Sequence, residues 1–254
     1  MTIRVPVDLG FSLMQPTRRL IVNADDFGQS AGVNGGIIAA HERGIVTSAS
    51  LMVRWPAAPG AAAYGKAHPR LAVGLHLDLG EWACRDGVWE PLYEVVPVED
   101  GDAVAAEVAR QLASFRRLMS CDPTHIDSHQ HTHRKEPVLG IVSALAASLG
   151  VPLRSCAPDI FFCGNFYGQT DDGSPLPEIL SAAGLLEILR SLPAGITELS
   201  CHPGDGDDLN TMYGAERSRE VEVLCDPRVR AALPELGIVL CSFKDLRKAR
   251  TPVE

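Results

Sequence analysis

The chain has 254 residues, of which 46% are hydrophobic and 22% charged, an ordinary globular composition with enough apolar material for a sizeable buried core. Its formal net charge of −9 and its scattered Lys and Arg residues exclude the clustered basic surface that nucleic-acid binding requires. Seven cysteines without a Cys-x-x-Cys pair suit buried thiols in a reducing, cytoplasmic setting better than a disulfide framework, and no apolar stretch is long enough to span a membrane.

Residues 1–17 read as an N-terminal extension without a secretion signal, with Met14 as an alternative start, and 18–254 as one domain. Leu20–Val22 begins the first strand, which ends at the paired aspartates Asp25 and Asp26. Ser30 is placed to cap a helix carrying Val33, Ile37 and Ile38, closed by Gly44. A second strand follows at Ser48–Val53, an Ala-rich helix at Ala57–Ala67, and a third strand at Leu71–Leu79 bearing His76. The rhythm then breaks. Glu81 to Val98, with Trp82, Trp89, Tyr93 and two prolines, reads as an inserted loop or hairpin.

Asp102–Met119 carries Val104, Val108, Leu112, Phe115 and Met119 along one helical face. His125–His129 is the fourth strand, followed by a helix from Pro137 to Leu149 that Gly150 stops. Leu153–Ser155 is expected as a short fifth strand and Ala157–Pro177 as irregular. A helix over Glu178–Leu192 leads to the sixth strand, Ile196–Cys201, which ends at His202. Two further helices (Glu216–Leu224 and Pro227–Leu233), a seventh strand (Ile238–Ser242) and a short helix capped by Arg247, Lys248 and Arg250 complete the chain.

Strands alternating with helices imply parallel βα units with right-handed crossovers. Such units build either an open doubly wound sheet or a barrel. Polar residues at the ends of strands one, three, four and six must converge to act together, and a barrel gathers its strand ends around one mouth. The expected class is therefore α/β: a distorted TIM-like (β/α) barrel of about seven parallel strands, with the active site at the C-terminal mouth.

Several residues at those strand ends could do chemistry. Adjacent carboxylates in extended chain point in different directions, so Asp25 and Asp26 could divide the roles of base and ligand; a helix-entry pair is the alternative. His76 could be a ligand or a hydrogen-bonded core residue. Under strand alternation His125, Asp127 and His129 share a face, with His131 and His133 continuing it, and the density of imidazoles favours metal binding. One carboxylate and two imidazoles leave positions on a divalent ion open to water and substrate, as in a catalytic site. A second carboxylate can then take a proton while a histidine supplies one.

The runs Ile21-Val22-Asn23-Ala24-Asp25-Asp26-Phe27-Gly28 and Gly44-Ile45-Val46-Thr47-Ser48 resemble the opening of the YdjC-like carbohydrate deacetylases, which include chitooligosaccharide and hopanoid-biosynthesis-associated deacetylases. Gly74-Leu75-His76, the stretch Thr124 to His133, and Cys201-His202-Pro203 match the later motifs in order, and Asn165-Phe166-Tyr167-Gly168 matches a loop element more weakly. The resemblance implies a metal-dependent hydrolase that removes an acetyl group from an N-acetylated sugar of the N-acetylglucosamine or chitooligosaccharide type. It implies Asp26, His76 and His129 as ligands, Asp25 as general base and His202 as the acid that protonates the departing amine. Asp127 would orient an imidazole, and His125, His131 and His133 would support the site or touch substrate.

The implied cofactor is a divalent metal ion, magnesium first because the family is described with it, and zinc second because imidazole ligands favour it. The implied partner is a small-molecule or oligosaccharide substrate, and a homodimer is compatible with a barrel of this size. Rival readings are a barrel phosphoesterase or amidohydrolase with two metals, for which Asp205, Asp207 and Asp208 are near His202, and a non-catalytic sugar-binding protein. Trp82, Trp89, Tyr93, Phe161, Phe162, Phe166 and Tyr167 could stack on pyranose rings or pack the loops that carry them.

Overall fold

The first strand, β1 (Arg18–Phe27), is buried on both faces from Leu20 onward, the signature of a strand at the centre of a parallel sheet with layers on either side. It belongs to a computed structural model that describes residues 17–85 and 87–250. Residues 1–16, and with them Met14 and nearly all of the expected extension, lie outside the described residues, as do the side chains of Arg247, Lys248 and Arg250.

Around β1 are β2 (Ser48–Leu51), β3 (Ala72–Leu77), β6 (Ile126–Ser128), β7 (Ile160–Cys163), β8 (Gly195–Cys201) and β9 (Ile238–Leu240). They pair in parallel in the order β6-β3-β2-β1-β8-β7, with β9 beside the start of β1. The sheet curls into a distorted TIM-like barrel. Among the described residues no ladder joins its edge strands β6 and β7. Between β3 and β6 a separate antiparallel hairpin is inserted, formed by β4 (Gly80–Arg85) and β5 (Val88–Glu94). This resolves the break after Leu79 as a hairpin.

Helices alternate with the strands and cover the sheet. In α1 (Ala31–Glu42) the Ser30 side chain accepts the Val33 N–H, as its position before the apolar run predicts, and Val33, Ile37 and Ala40 enter the core. The long α3 (Gly101–Met119) starts at Asp100, whose carboxylate accepts two backbone N–H groups, and buries the expected stripe of Val104, Val108, Leu112, Phe115 and Met119. After α4 (Val138–Leu149), Gly150 takes φ 61°, a left-handed stop. The circuit continues through α2 (Ala58–Ala67), α5 (Ala182–Ser191), α6 (Ala215–Leu224), α7 (Pro227–Glu235) and α8 (Phe243–Arg250).

Two expectations need correction. Leu153–Ser155 is not a strand: Leu153 makes one isolated bridge to Ile126, and Ser155 turns the backbone at φ 61°. The strand paired with β8 is instead Ile160–Cys163, inside the stretch expected to be irregular. Four apolar residues between Asp159 and Gly164 were the signal for it. The second correction concerns the histidine tract. Strand β6 ends at Ser128, and His129–Arg134 form a 3₁₀ turn in which Gln130 and His131 have φ of 48° and 55°. Alternation therefore does not carry His131 and His133 onto the face of Asp127.

One close approach is built into the barrel wall. A Cβ placed on Gly74 of β3 would lie 2.4 Å from the His125 ring, which is itself stacked on Phe243 with centroids 3.8 Å apart. Neither ring can retreat without opening the core. Gly74→Ala is expected to destabilise the fold by about 1–3 kcal/mol, read as a lowered urea midpoint with an unchanged m-value.

Candidate functional site

Strand register assembles the site. On β1 and β8, Ala24 is paired with Cys201, so the next residues, Asp25 and His202, emerge at the same level of the mouth. On β3 and β6, His76 and Asp127 are direct register partners. A bulge in β1 between Ala24 and Phe27 changes the fate of the aspartate pair. Asp26 takes φ 66°, a left-handed conformation that Asp tolerates better than most residues. Simple alternation would aim the two carboxylates at opposite faces. The bulge brings both to the mouth, each fully buried.

Asp26, His76 and His129 bring one donor atom each within 4.8 Å of one another. Oδ1 of Asp26 is 3.2 Å from Nε2 of His76 and 3.0 Å from Nδ1 of His129. On its other side, Nδ1 of His76 is 2.8 Å from Oδ1 of Asp127. A neutral His76 that donates its Nδ1 proton to Asp127 turns a bare Nε2 lone pair toward the Asp26 carboxylate, an arrangement that asks for a cation between them. Without one the rings are driven to take up protons. Burial opposes this, but Asp127 and Asp26 push His76 up to about 9, and Asp26 with Glu81 pushes His129 up to about 10. The donor set fits a divalent ion: one carboxylate and two imidazoles, with room for further ligands.

A second group of three donors, Asp25, His76 and Asp127, already has its cation. Arg154 is fully buried and donates to both oxygens of Asp25 at 2.5 and 2.6 Å. Its guanidinium also lies 2.9 Å from Asp127 Oδ2 and donates to Glu198 Oε1 at 2.7 Å. Three strands, β1, β6 and β8, thus meet at one guanidinium. Burial disfavours the charged carboxylates, but Arg154 outweighs it and holds Asp25 and Asp127 below the ordinary carboxylate range. Glu198 has only one such bond, and burial pushes it up to about 7.

A second buried arginine, Arg217 on α6, donates to Oδ2 of Asp26 at 2.6 Å, the oxygen turned away from the histidines. His202 is partly exposed at the mouth, with Nε2 3.7 Å from Asp25 Oδ2. Burial pushes it down to about 4, so the resting imidazole is neutral. Glu220 accepts its backbone N–H at 2.5 Å, and Tyr167 and Tyr213 present ring edges to it.

The remaining sequence candidates occupy supporting positions. His125 faces away from the three donors: its Nε2 lies 3.0 Å from Ser50 Oγ, and Ser50 donates to Asp127 at 2.6 Å. His133 is bound to Ser128 and to the Arg154 carbonyl, and His131 packs its edge against Phe162. Of the aromatics, Phe166 is buried, Tyr167 stacks on Tyr213 and Tyr93 donates to Asp78; Trp89 and Phe161 are exposed.

Sequence reasoning missed Arg154, Arg217, Glu198 and Glu220. A signal existed for one of them. Glu198 stands in the middle of the apolar run Ile196–Cys201, where a carboxylate needs a buried countercharge.

The Arg154 hub yields a stability prediction. Asp25 and Asp127 are depressed in the fold, so the stability they contribute is fully present above their unfolded value near 3.8 and is lost as pH falls through the lower folded values. Arg154→Met removes the countercharge and lifts those carboxylates. It should cost about 3–5 kcal/mol at pH 7.5, and the deficit should shrink toward pH 4.5 as the carboxylates take up protons. Paired urea melts at the two pH values measure it.

The YdjC-like protein family matches residues 19–235. A chitooligosaccharide deacetylase from Serratia marcescens is 34% identical, the match covering 89% of this chain and 98% of that protein. A carbohydrate deacetylase from Geobacillus stearothermophilus is 36% identical, with 91% and 99% covered. Among solved structures, a protein from Enterococcus faecalis V583 described as a cellobiose-phosphate cleavage protein superposes with a TM-score of 0.68 at 27% identity, over 91% of this chain and 99% of that one. A family 4 carbohydrate esterase from Streptomyces lividans shares the fold, with a TM-score of 0.53 at 12% identity over 90% and 93% of the two chains.

Proposed function

The chain belongs to the YdjC-like protein family, and from that premise we propose that it is a metal-dependent carbohydrate N-deacetylase. Its reaction would release acetate and a free amine from an N-acetylated sugar of the N-acetylglucosamine or chitooligosaccharide type. The observation that carries this reading is the convergence at one mouth of a three-donor cation site, an arginine-held carboxylate and a neutral imidazole.

Asp26, His76 and His129 would hold a divalent ion, magnesium first and zinc second, which when bound polarises the acetamide and acidifies water. Asp127 keeps the His76 ring in the orientation that turns Nε2 toward the ion. Asp25 is the base. Arg154 fixes both of its oxygens and keeps it ionised, so that it accepts a proton from the attacking water only transiently. His202 is the acid. With Nε2 3.7 Å from Asp25 and a pKa of about 4, it is a better resting place for that proton than Asp25, and from there the proton passes to the departing nitrogen. Tyr167 and Tyr213 flank the imidazole in T-shaped contacts and help to orient it.

The single-ion reading is favoured over a two-metal phosphoesterase. Arg154 already neutralises Asp25 and Asp127, the two carboxylates of the only other group of three such donors among the described residues (Asp25, His76 and Asp127), and Asp205, Asp207 and Asp208 join neither group.

Acetate release from N-acetylglucosamine, chitobiose, longer chitooligosaccharides and lipid-linked N-acetyl sugars tests the reading. Turnover should vanish on chelation and return with Mg²⁺ or Zn²⁺. Asp25→Asn and His202→Ala should each lower kcat by roughly 10²–10⁴-fold while leaving metal uptake intact. Near-normal turnover of either variant overturns its assigned role.

A further inference from the structure

The β4–β5 hairpin lies outside the barrel sheet, yet it reaches the candidate metal centre through one side chain. Glu81 is 4% exposed, on the inner strand of a hairpin whose other strand, β5, is largely exposed. Its Oε2 is 3.6 Å from Nε2 of His129, a buried nitrogen with no hydrogen-bond partner among the described residues. Its Oε1 accepts the Thr211 hydroxyl at 2.8 Å, which ties it to the loop ahead of α6. The next residue is held as firmly: the Trp82 N–H donates to Gln130 Oε1 at 2.9 Å, and Gln130 Nε2 donates to the Trp82 carbonyl at 2.7 Å. Gln130 follows His129 directly and sits in the left-handed turn with φ 48°. Thus the hairpin grips a strained turn at the residue after a candidate ligand.

The geometry points to Glu81 as the positioning carboxylate of His129, and so to the hairpin as a built part of the metal centre; this rests on the single-ion site proposed above. The two histidines are arranged alike. Each turns one nitrogen to Oδ1 of Asp26 and the other to a buried carboxylate, Asp127 for His76 and Glu81 for His129. Glu81 does not belong to the group of donors that could surround the ion. It lies on the far side of the imidazole, where it can accept only the ring's other proton. With Nε2–H held toward Glu81, the Nδ1 lone pair is fixed on the side of Asp26 and His76. A neutral ring satisfies both ends only when a cation lies between Nδ1 and the Asp26 carboxylate.

Two consequences follow. Losing the Glu81 charge frees the ring and its tautomer, which weakens ion binding without removing a ligand. Filling the site draws Glu81 onto Nε2–H and tightens the hairpin, since Thr211 and Gln130 anchor the same few residues. Occupancy of the ion site and docking of the hairpin over the mouth are then two readings of one equilibrium.

Co²⁺ serves as the probe, because its visible spectrum reports the ligand field directly. Wild-type protein should bind one equivalent and show slowed amide exchange in residues 80–85 and 88–94 on binding. Glu81→Gln, nearly isosteric, should bind Co²⁺ about 10–100-fold more weakly, with an altered visible spectrum and no metal-dependent protection of the hairpin. Thr211→Val, which removes only the hydroxyl on Oε1, should weaken binding by about 2–10-fold. Val88→Ala, at the exposed hairpin tip, should bind as wild type. Circular dichroism and urea midpoints check that each variant is folded. Wild-type affinity, spectrum and protection in Glu81→Gln overturn this inference alone. Failure of the wild-type protein to bind any Co²⁺ overturns the metal centre together with it.

Discussion

A single guanidinium, that of Arg154, makes the interior of this barrel possible. Asp25, Asp127 and Glu198 project inward from three different strands and are removed from water, which would be prohibitive for three uncompensated carboxylates. Arg154 donates to or faces all three, and its planar fork suits the two oxygens of Asp25. It also ties β6 to β8, next to the two backbone hydrogen bonds that join Ile126 of β6 to Pro152 and Arg154, and among the described residues no ladder joins the edge strands β6 and β7. The remaining negative charge around it defines the chemistry. Asp26 is left to Arg217 on one oxygen and to two imidazoles on the other, which is where a divalent ion fits.

The two arginines therefore divide the aspartate pair. Arg154 takes both oxygens of Asp25 and keeps that carboxylate ionised and fixed in place. Arg217 takes one oxygen of Asp26 and leaves the other free to face His76 and His129. Neighbouring residues of identical type acquire different partners because the bulge at Asp26 presents them to different arginines. A regular strand would have buried one of them in the opposite layer.

Around this centre the walls are rigid and the roof is borrowed. His76, Asp127, Asp25 and His202 stand at strand ends, where register fixes them. Glu81 comes from the inserted hairpin, while Tyr167 and Tyr213 come from the loops before α5 and α6. In the proposed reaction, substrate selection would fall to those outer segments, and most of the reacting groups to the strand ends. This division lets loops vary without displacing the chemistry.

Sequence alone settled the alternation of strands and helices, the helix cap at Ser30, and the clustering of Asp25, Asp26, His76, His129 and His202 at strand exits, because burial periodicity and capping are local properties written in short windows. It misassigned Leu153–Ser155 and passed over Ile160–Cys163, since short apolar runs acquire strand identity only from a partner, here β8. Strand alternation by itself made His125 and His129 equivalent, and only the family resemblance singled out His129; in the structure one packs on Phe243 and the other faces Asp26. Which charge compensates which is a pairing across more than a hundred residues, as between Arg154 and Asp25 or Arg217 and Asp26. Pairings at that separation have no local signature, so only the closed tertiary structure decided them.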